Sequence, residues 1–500
     1  MRLEDISKDI SPYLIPKIAG KLIYRCLGCN AEFGIERLLY VCPFCKSVLL
    51  LEDKEFNRFK DIPGRKWRAI FDYRKLLTTP SLQGIYRFHE FIGPIIPLDS
   101  IVNLGEGNTP IVEANSRLQA RIGRRFFFKN DGQNPSASFK DRGMASAITY
   151  LNYLIRSGIL KDVLAICAST GDTSASAALY ASYLQPAVKS AVLLPHNKVT
   201  PQQLSQPLGS GAVVLEIPGV FDDCMKVVET LSEEYNVALL NSKNAWRILG
   251  QESYSYEISQ QFDYCMDKKA IFVPIGNAGN ITAVMSGFLK FFEIGVIDAL
   301  PKIIGVQSEH ADPVYKYYLE PDASKRKFRP VMVRPSVAQA AMIGNPVSMP
   351  RVIRLAEEYN KKAGGRMVFV VQVSEQAIID HQLIANRNGH IACTQGGETL
   401  AGLVEAIRIG IISNDEEAVL DSTAHALKFA GFQEAYFEDR LDNAFDIRPK
   451  KELTNSPRFV RPVGLKELPE SGKALSQEAF KEFVEKTAKE IASILSLQVK

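Results

Sequence analysis

The residues best suited to chemistry in this chain begin with one lysine. Lys140 sits in NPSASFKDRGMASA (134–147), behind a Ser-Ala-Ser turn and ahead of a helix-favouring run. A lysine attacks an aldehyde when its neutral amine is accessible, which is the requirement for a Schiff base. A helix starting at Lys140 also points its positive N-terminal end at any nearby anion. Taken alone, the stretch equally fits an exposed lysine in a first helical turn. Two loops bear on the choice. In ASTGDTSASAALY (168–180), Ser169, Thr170, Gly171, Asp172 and Thr173 form a strand-to-helix turn of small residues, where open α/β sheets bind ligands. In VPIGNAGNITA (273–283), Gly276, Asn277, Ala278, Gly279 and Asn280 follow another strand, and successive N–H groups there suit a phosphate. The second loop has neither the spacing of a dinucleotide fingerprint nor that of a P-loop. Each loop by itself also fits a turn that merely packs. Together with the lysine they point to a phosphate-bearing aldehyde cofactor, pyridoxal 5′-phosphate.

A fourth stretch, CLGCNAEFGIERLLYVCPFC, carries Cys26, Cys29, Cys42 and Cys45. Two CxxC knuckles at this separation can give four thiolates to a tetrahedral, structural zinc. Few basic or interleaved aromatic residues surround them, so a structural clamp is expected rather than a nucleic-acid contact. Cys167, Cys224, Cys265 and Cys393 are scattered in or beside apolar segments and read as free thiols. His89, His196, His310, His381, His390 and His425 show no shared metal-ligand spacing.

Elements that could position these groups follow from the hydrophobic pattern. DVLAICAS, SAVLLP, GAVVLEIP, AIFVPI and RMVFVVQV read as strands with few polar interruptions, each followed by a helical stretch, and KIIGVQ reads as another strand. That alternation predicts parallel βαβ units with both sheet faces covered. The last segment, SQEAFKEFVEKTAKEIASILSLQ, predicts an amphipathic terminal helix packed on the body. With 500 residues, 46% hydrophobic and 23% charged, the composition is that of a globular protein of about three units. A net charge of +4 from 60 basic and 56 acidic residues implies neither nucleic-acid nor membrane partners. The charged N-terminus and the lack of a long apolar run predict a cytoplasmic protein.

LGEGNTP (104–110), NPSASFKDRG, ASTGDTSASAALYAS, LNSKNAWRILGQ (240–251), VPIGNAGNITA and GVQSE occur in the order found in threonine synthases, and the chain resembles that family over roughly residues 100–430. AQAAMIGNPVSMPR and STAHALKF resemble it too, and a cysteine ribbon ahead of the catalytic body also occurs there. The resemblance implies an α/β, two-domain pyridoxal-phosphate enzyme of the tryptophan synthase β-like class, with mostly parallel sheets covered by helices and a small zinc ribbon. Residues 1–58 would hold the ribbon, 59–125 and 236–450 a large cofactor domain, 126–235 a small domain with the lysine, and 451–500 a helical extension. Lys140 would be the Schiff-base lysine and proton-shuttling base, and residues 276–280 the phosphate cradle. Ser169, Thr170, Gly171 and Thr173 would take the substrate's carboxylate and distal groups, and Ser242 and Arg247 its phosphate. Asp172 stands near the cofactor's ring hydroxyl, where many relatives have asparagine. The position that brings a hydroxyl to the pyridine nitrogen reads CTQGGETLAG and falls on Gly396, leaving Thr394 as the nearest substitute, with Thr399 and Cys393 behind it. A homodimer is usual in the family.

The implied activity converts O-phospho-L-homoserine and water to L-threonine and phosphate. Cysteate synthase, using phosphoserine and sulfite, shares much of the motif set; threonine dehydratase needs no Arg247. A silent, zinc-bearing regulator that binds nucleic acid is the alternative outside catalysis.

Overall fold

The computed structural model describes residues 7–169, 171–196, 201–219, 221–465, 467–470 and 472–498. The chain opens with an antiparallel three-stranded ribbon, β1 (Leu22–Cys26), β2 (Glu32–Gly34) and β3 (Leu49–Asp53), in the order β2-β1-β3. Next come β4 (Ile111–Glu113) and β5 (Phe126–Asn130), which pair antiparallel. Four parallel strands then form a separate sheet in the order β8-β7-β6-β9: β6 (Val163–Ala168), β7 (Val188–Pro195), β8 (Val213–Ile217) and β9 (Val237–Leu239). Finally β10 (Lys269–Pro274), β11 (Lys302–Ser308), β12 (Val368–Val373) and β13 (Glu417–Ser422) complete a six-stranded sheet, β12-β11-β10-β13-β5-β4, parallel except for β4.

Every strand expected from an unbroken apolar run is present. β10 shows why the pattern works: all its residues after Lys269 are buried, because helices cover both faces of a parallel sheet. The helices expected after these strands form as well, among them Asp172–Ser182, Gly279–Glu293 and Glu375–Asn386. β5 and β13 were not expected, since FFFKN and EAVLDS end in polar residues that turn out to be buried. The division expected at residues 126 and 236 sits a few residues off the sheets: β5 belongs to the larger sheet and β9 to the smaller.

Residues 449–500 form their own compact unit. Its helix, Gln477–Ile494, is capped by the Ser476 hydroxyl, which accepts from Ala479 N–H, and it buries none of its residues. Among the described residues, no helix is long and apolar enough to cross a membrane.

Candidate active site

Lys140 opens the helix Lys140–Arg156, and the loop before it is stitched to the end of β13. Phe139 N–H donates to Thr423 O (2.8 Å), His425 N–H donates to Ala137 O (3.0 Å), and Ser138 bridges to Ala424. Ala137 adopts a left-handed φ of 65°, and the Asp141 carboxylate accepts from both the N–H and the hydroxyl of Ser136 at 2.6 Å. These contacts hold the lysine at the carboxyl edge of the six-stranded sheet, where such folds place ligands. The amine lies 4.1 Å from the Phe139 ring centroid. Burial, helped by the nearby Arg247 guanidinium, lowers its pKa to about 8, while Asp172, Cys167 and Asp421 pull the other way. A lysine so tuned has a neutral fraction far above that of an ordinary lysine near physiological pH.

The turn expected to cradle a phosphate, residues 276–280, takes its shape from the end of β10. Ala278 has a left-handed φ of 61° and caps the helix Gly279–Glu293, whose first N–H groups have no helical acceptor. A Cβ at Gly276 would lie 3.0 Å from Ala340 O, so the glycine lets the neighbouring loop close over the turn. Asn277 O accepts from Ser348 N–H at 3.1 Å, which fixes the turn from the other side. The Asn280 side-chain amide donates to Asp421 Oδ2 at 2.7 Å. These backbone donors fit a phosphate, and with the Lys140 amine they fit the phosphate-bearing aldehyde expected from the sequence.

The helix Ala245–Gln251 carries Arg247, the residue expected to meet the substrate phosphate. Arg247 is 2% exposed, its Nε has no partner, and Nη1 makes one long bond to Leu240 O (3.4 Å). Among the described residues no carboxylate pairs with it, and burial lowers its pKa to about 10. A buried cation without a counter-ion is costly unless an anion arrives. The helix reaches both other parts of the site: a Cβ at Gly143 would lie 2.8 Å from Arg247 O, and one at Gly279 would lie 3.1 Å from Ile248 Cδ1.

Other expected residues are placed as follows. Asp172 begins the helix Asp172–Ser182, is buried, and pairs with Lys428 Nζ at 3.1 Å. Lys428 also donates to Ser136 O at 2.9 Å. Ser169 Oγ accepts from Gly171 N–H at 3.3 Å; Ser169, Gly171 and Thr173 are half-buried, and Thr170 lies outside the described residues. Ser242 is half-buried, and its carbonyl is held by Arg351 at 3.1 Å. Thr394 has a buried hydroxyl without a protein partner, whereas Thr399 donates its own to Gly396 O at 2.9 Å. Cys393 caps the helix Thr394–Arg408, its thiol accepting from Gly396 N–H at 3.4 Å; burial raises its pKa to about 11.

Several residues here carried no weight in the sequence. Ser422, with an unpartnered hydroxyl, and Thr423, 3.7 Å from Cys393 Sγ, bring two more hydroxyls to the end of β13. Asp421 is fully buried with Oδ1 unpartnered; burial and the Asp131 charge push its pKa well up. Below it lies a closed ionic group in which Arg142 meets Asp131 and Glu257, and Lys129 meets Glu257, at 2.8–2.9 Å. Glu106, from LGEGNTP, accepts from Tyr180 OH (2.8 Å) and Leu104 N–H (2.9 Å), and burial raises its pKa to about 7. LGEGNTP and STAHALKF contained Glu106 and Lys428, but nothing in either motif marks which side chain turns inward.

The four ribbon thiols converge. Cys26 and Cys45 Sγ are 3.3 Å apart, Cys29 and Cys42 Sγ 3.6 Å, and all four lie within 4.8 Å of one another. A tetrahedral ion with metal–sulfur bonds of about 2.3 Å needs sulfurs roughly 3.8 Å apart, so the group fits such a metal.

Comparisons with known proteins agree with this geometry. Residues 102–421 match the family described as pyridoxal-phosphate dependent enzyme. The threonine synthase of Methanocaldococcus jannaschii is 33% identical over 416 residues, covering 81% of this chain and 93% of that protein. Chloroplastic threonine synthase 2 of Arabidopsis thaliana is 34% identical over 80% of this chain and 75% of its own length. The crystal structure of Escherichia coli threonine synthase superposes with a TM-score of 0.62 at 18% identity, over 84% of this chain and 92% of that one, a likeness of fold. The chain therefore belongs to the pyridoxal-phosphate dependent enzymes and, among them, to the threonine synthase family.

Proposed function

We propose that the protein converts O-phospho-L-homoserine and water to L-threonine and phosphate, a γ-elimination followed by β-addition of water. The observation that carries this reading is Arg247, a buried guanidinium with no carboxylate partner, close enough to Lys140 to depress its pKa. A second anion cradle separate from residues 276–280 is what a phosphorylated substrate requires and what a non-phosphorylated amino acid does not. Pyridoxal 5′-phosphate, when bound, supplies an electron sink that acidifies the substrate's α-proton.

The chain's own residues do the rest. Lys140, with its amine near neutrality, takes and returns protons at the substrate's carbon atoms. Arg247, with the backbone around Ser242, holds the γ-phosphate and stabilises it as it leaves. Ser169, Gly171 and Thr173 orient the α-carboxylate at the mouth of the smaller sheet. Asp172 would meet the cofactor's ring hydroxyl, and its ion pair with Lys428 would supply the positive partner that a carboxylate there requires. Thr394 and Ser422 each keep a buried hydroxyl free for a neutral pyridine nitrogen. The ribbon thiols hold structural zinc, and the enzyme works as a cytoplasmic homodimer without nucleic-acid partners.

The test offers one preparation O-phospho-L-homoserine, then phosphoserine with sulfite, then threonine. Equimolar threonine and phosphate from the first, with at most a trace of turnover of the others, supports the reading. Preferential formation of cysteate, or of a keto acid from threonine, contradicts it.

A further inference from the structure

The cysteine ribbon is built into the wall of the anion site. Tyr24, two residues before Cys26, accepts a hydrogen bond from Trp246 Nε1 at 3.0 Å, and its hydroxyl faces that of Tyr150 at 3.3 Å. Tyr150 lies on the Lys140 helix, stacks on Trp246 with centroids 4.1 Å apart, and donates to Arg37 O, between the knuckles, at 3.1 Å. Tyr40, two residues before Cys42, accepts from Leu239 N–H at 2.9 Å. Leu49, paired with Cys26 in the ribbon, gives its carbonyl to Arg351 Nε (3.0 Å) and Nη2 (2.7 Å). The remaining donors of Arg351 reach Ser242 O (3.1 Å), Lys243 O (3.0 Å) and Ser348 Oγ (2.9 Å). Ser348 N–H in turn holds Asn277 O in the cofactor-phosphate turn.

Thus Leu239, residues 242–243 and Trp246, which lead into Arg247 along the chain, are each fastened to the ribbon. Each fastening lies two residues, or one strand rung, from a thiol. Cys26 and Cys42, which open the two knuckles, are buried, and Cys29 and Cys45, which close them, are exposed. Arg351 is fully buried, and like Arg247 it pairs with no carboxylate among the described residues. Four of its five donors fix backbone carbonyls and the fifth holds the Ser348 hydroxyl, a rigid clamp that fails if Leu49 moves.

We propose that the ribbon, closed on a metal ion by Cys26, Cys29, Cys42 and Cys45, positions the segment 239–247, so that the grip of Arg247 on its anion depends on the metal. This rests on the reading of Arg247 as the substrate-phosphate residue. Loss of the ion frees the knuckles, loosens Tyr24, Tyr40 and Leu49, and lets the Arg247 segment drift while Lys140 and residues 276–280 keep the cofactor.

The test uses the cofactor-loaded protein in a Trp67→Phe background, which leaves Trp246 as the sole tryptophan. Metal is released with a thiol-blocking mercurial plus chelator and measured colorimetrically, and Tyr24→Phe and Cys45→Ser are made in parallel. Each treatment is expected to shift Trp246 emission and raise the KM for phosphohomoserine and the inhibition constant of inorganic phosphate, by about tenfold for one lost hydrogen bond. The cofactor's visible absorbance should stay within about twofold, and kcat should fall by less than KM rises. Metal release that leaves Trp246 emission and phosphate affinity unchanged would overturn the proposal, as would a loss of cofactor and kcat in step with KM, the mark of a merely structural clamp. If metal release shifts Trp246 emission in a protein that never turns over phosphohomoserine, the ribbon's role is supported and the functional reading fails.

Discussion

Replacing Arg247 by methionine should strengthen the fold and cripple the reaction. The guanidinium is almost wholly buried with one long hydrogen bond, and burial takes its pKa from 12.5 to about 10. A depression of that size corresponds to a folding cost on the order of 3 kcal/mol for keeping the charge inside. Methionine fills similar volume without charge, so the ligand-free variant should gain on the order of 1–3 kcal/mol once the bond to Leu240 is forfeited. The phosphorylated substrate meanwhile loses two charge-assisted hydrogen bonds worth roughly 3–4 kcal/mol together, or about 10²- to 10³-fold in kcat/KM. The assay pairs thermal or urea midpoints of the substrate-free protein with phosphate-release kinetics. A variant with a lower midpoint and unchanged kcat/KM would show that Arg247 ties Leu240 rather than an anion, and the reasoning would be wrong.

Three further outcomes follow from the same environments. With a Lys140 pKa near 8, about half the amines are neutral at pH 8, against roughly 0.3% for an ordinary lysine; the rate of cofactor uptake by apoprotein should therefore rise through pH 8 and level off by pH 9, and a rise still steep at pH 10 would contradict the burial argument. Glu106 keeps its proton in the fold up to about pH 7, whereas the unfolded carboxyl sheds it near 4.5. Stability should thus fall as pH rises from about 4.5 to 7, and Glu106→Gln should flatten that slope and stabilise the protein at pH 8 by on the order of 2–3 kcal/mol, read from urea unfolding. Glu257→Gln strips a carboxylate shared by Arg142 and Lys129 and leaves buried cations short of charge; a loss of about 3–5 kcal/mol is expected from the urea midpoint, and a neutral result would mean Asp131 alone balances the group.

Much of this arrangement was legible in local sequence, because its parts are local. The strands β6, β7, β8, β10, β11 and β12 are apolar runs, and the loops after β6 and β10 show their small residues within a dozen positions. The four cysteines declare themselves by spacing. What stayed hidden is what long-range pairing creates. Lys129 lies near the end of β5, a strand that reads as broken until Glu257, 128 positions away, neutralises it. Asp421 is tolerable in β13 because Asn280 meets it from 141 positions away. Arg351, in NPVSMPR, gives no sign that its acceptor is Leu49, 302 positions earlier in the ribbon. In the sequence, the hydroxyl expected at the pyridine nitrogen falls on Gly396. A Cβ there would lie 2.9 Å from Ser422 Oγ, so a side chain from another strand already occupies that space.

The most direct measurement is borohydride reduction of the cofactor-loaded protein, followed by proteolysis and mass mapping of the pyridoxyl group. The account predicts one modified site, Lys140, in the peptide that follows Ser138 and Phe139. A pyridoxyl group on Lys129, Lys428 or any other lysine, or none on the whole chain, would contradict it.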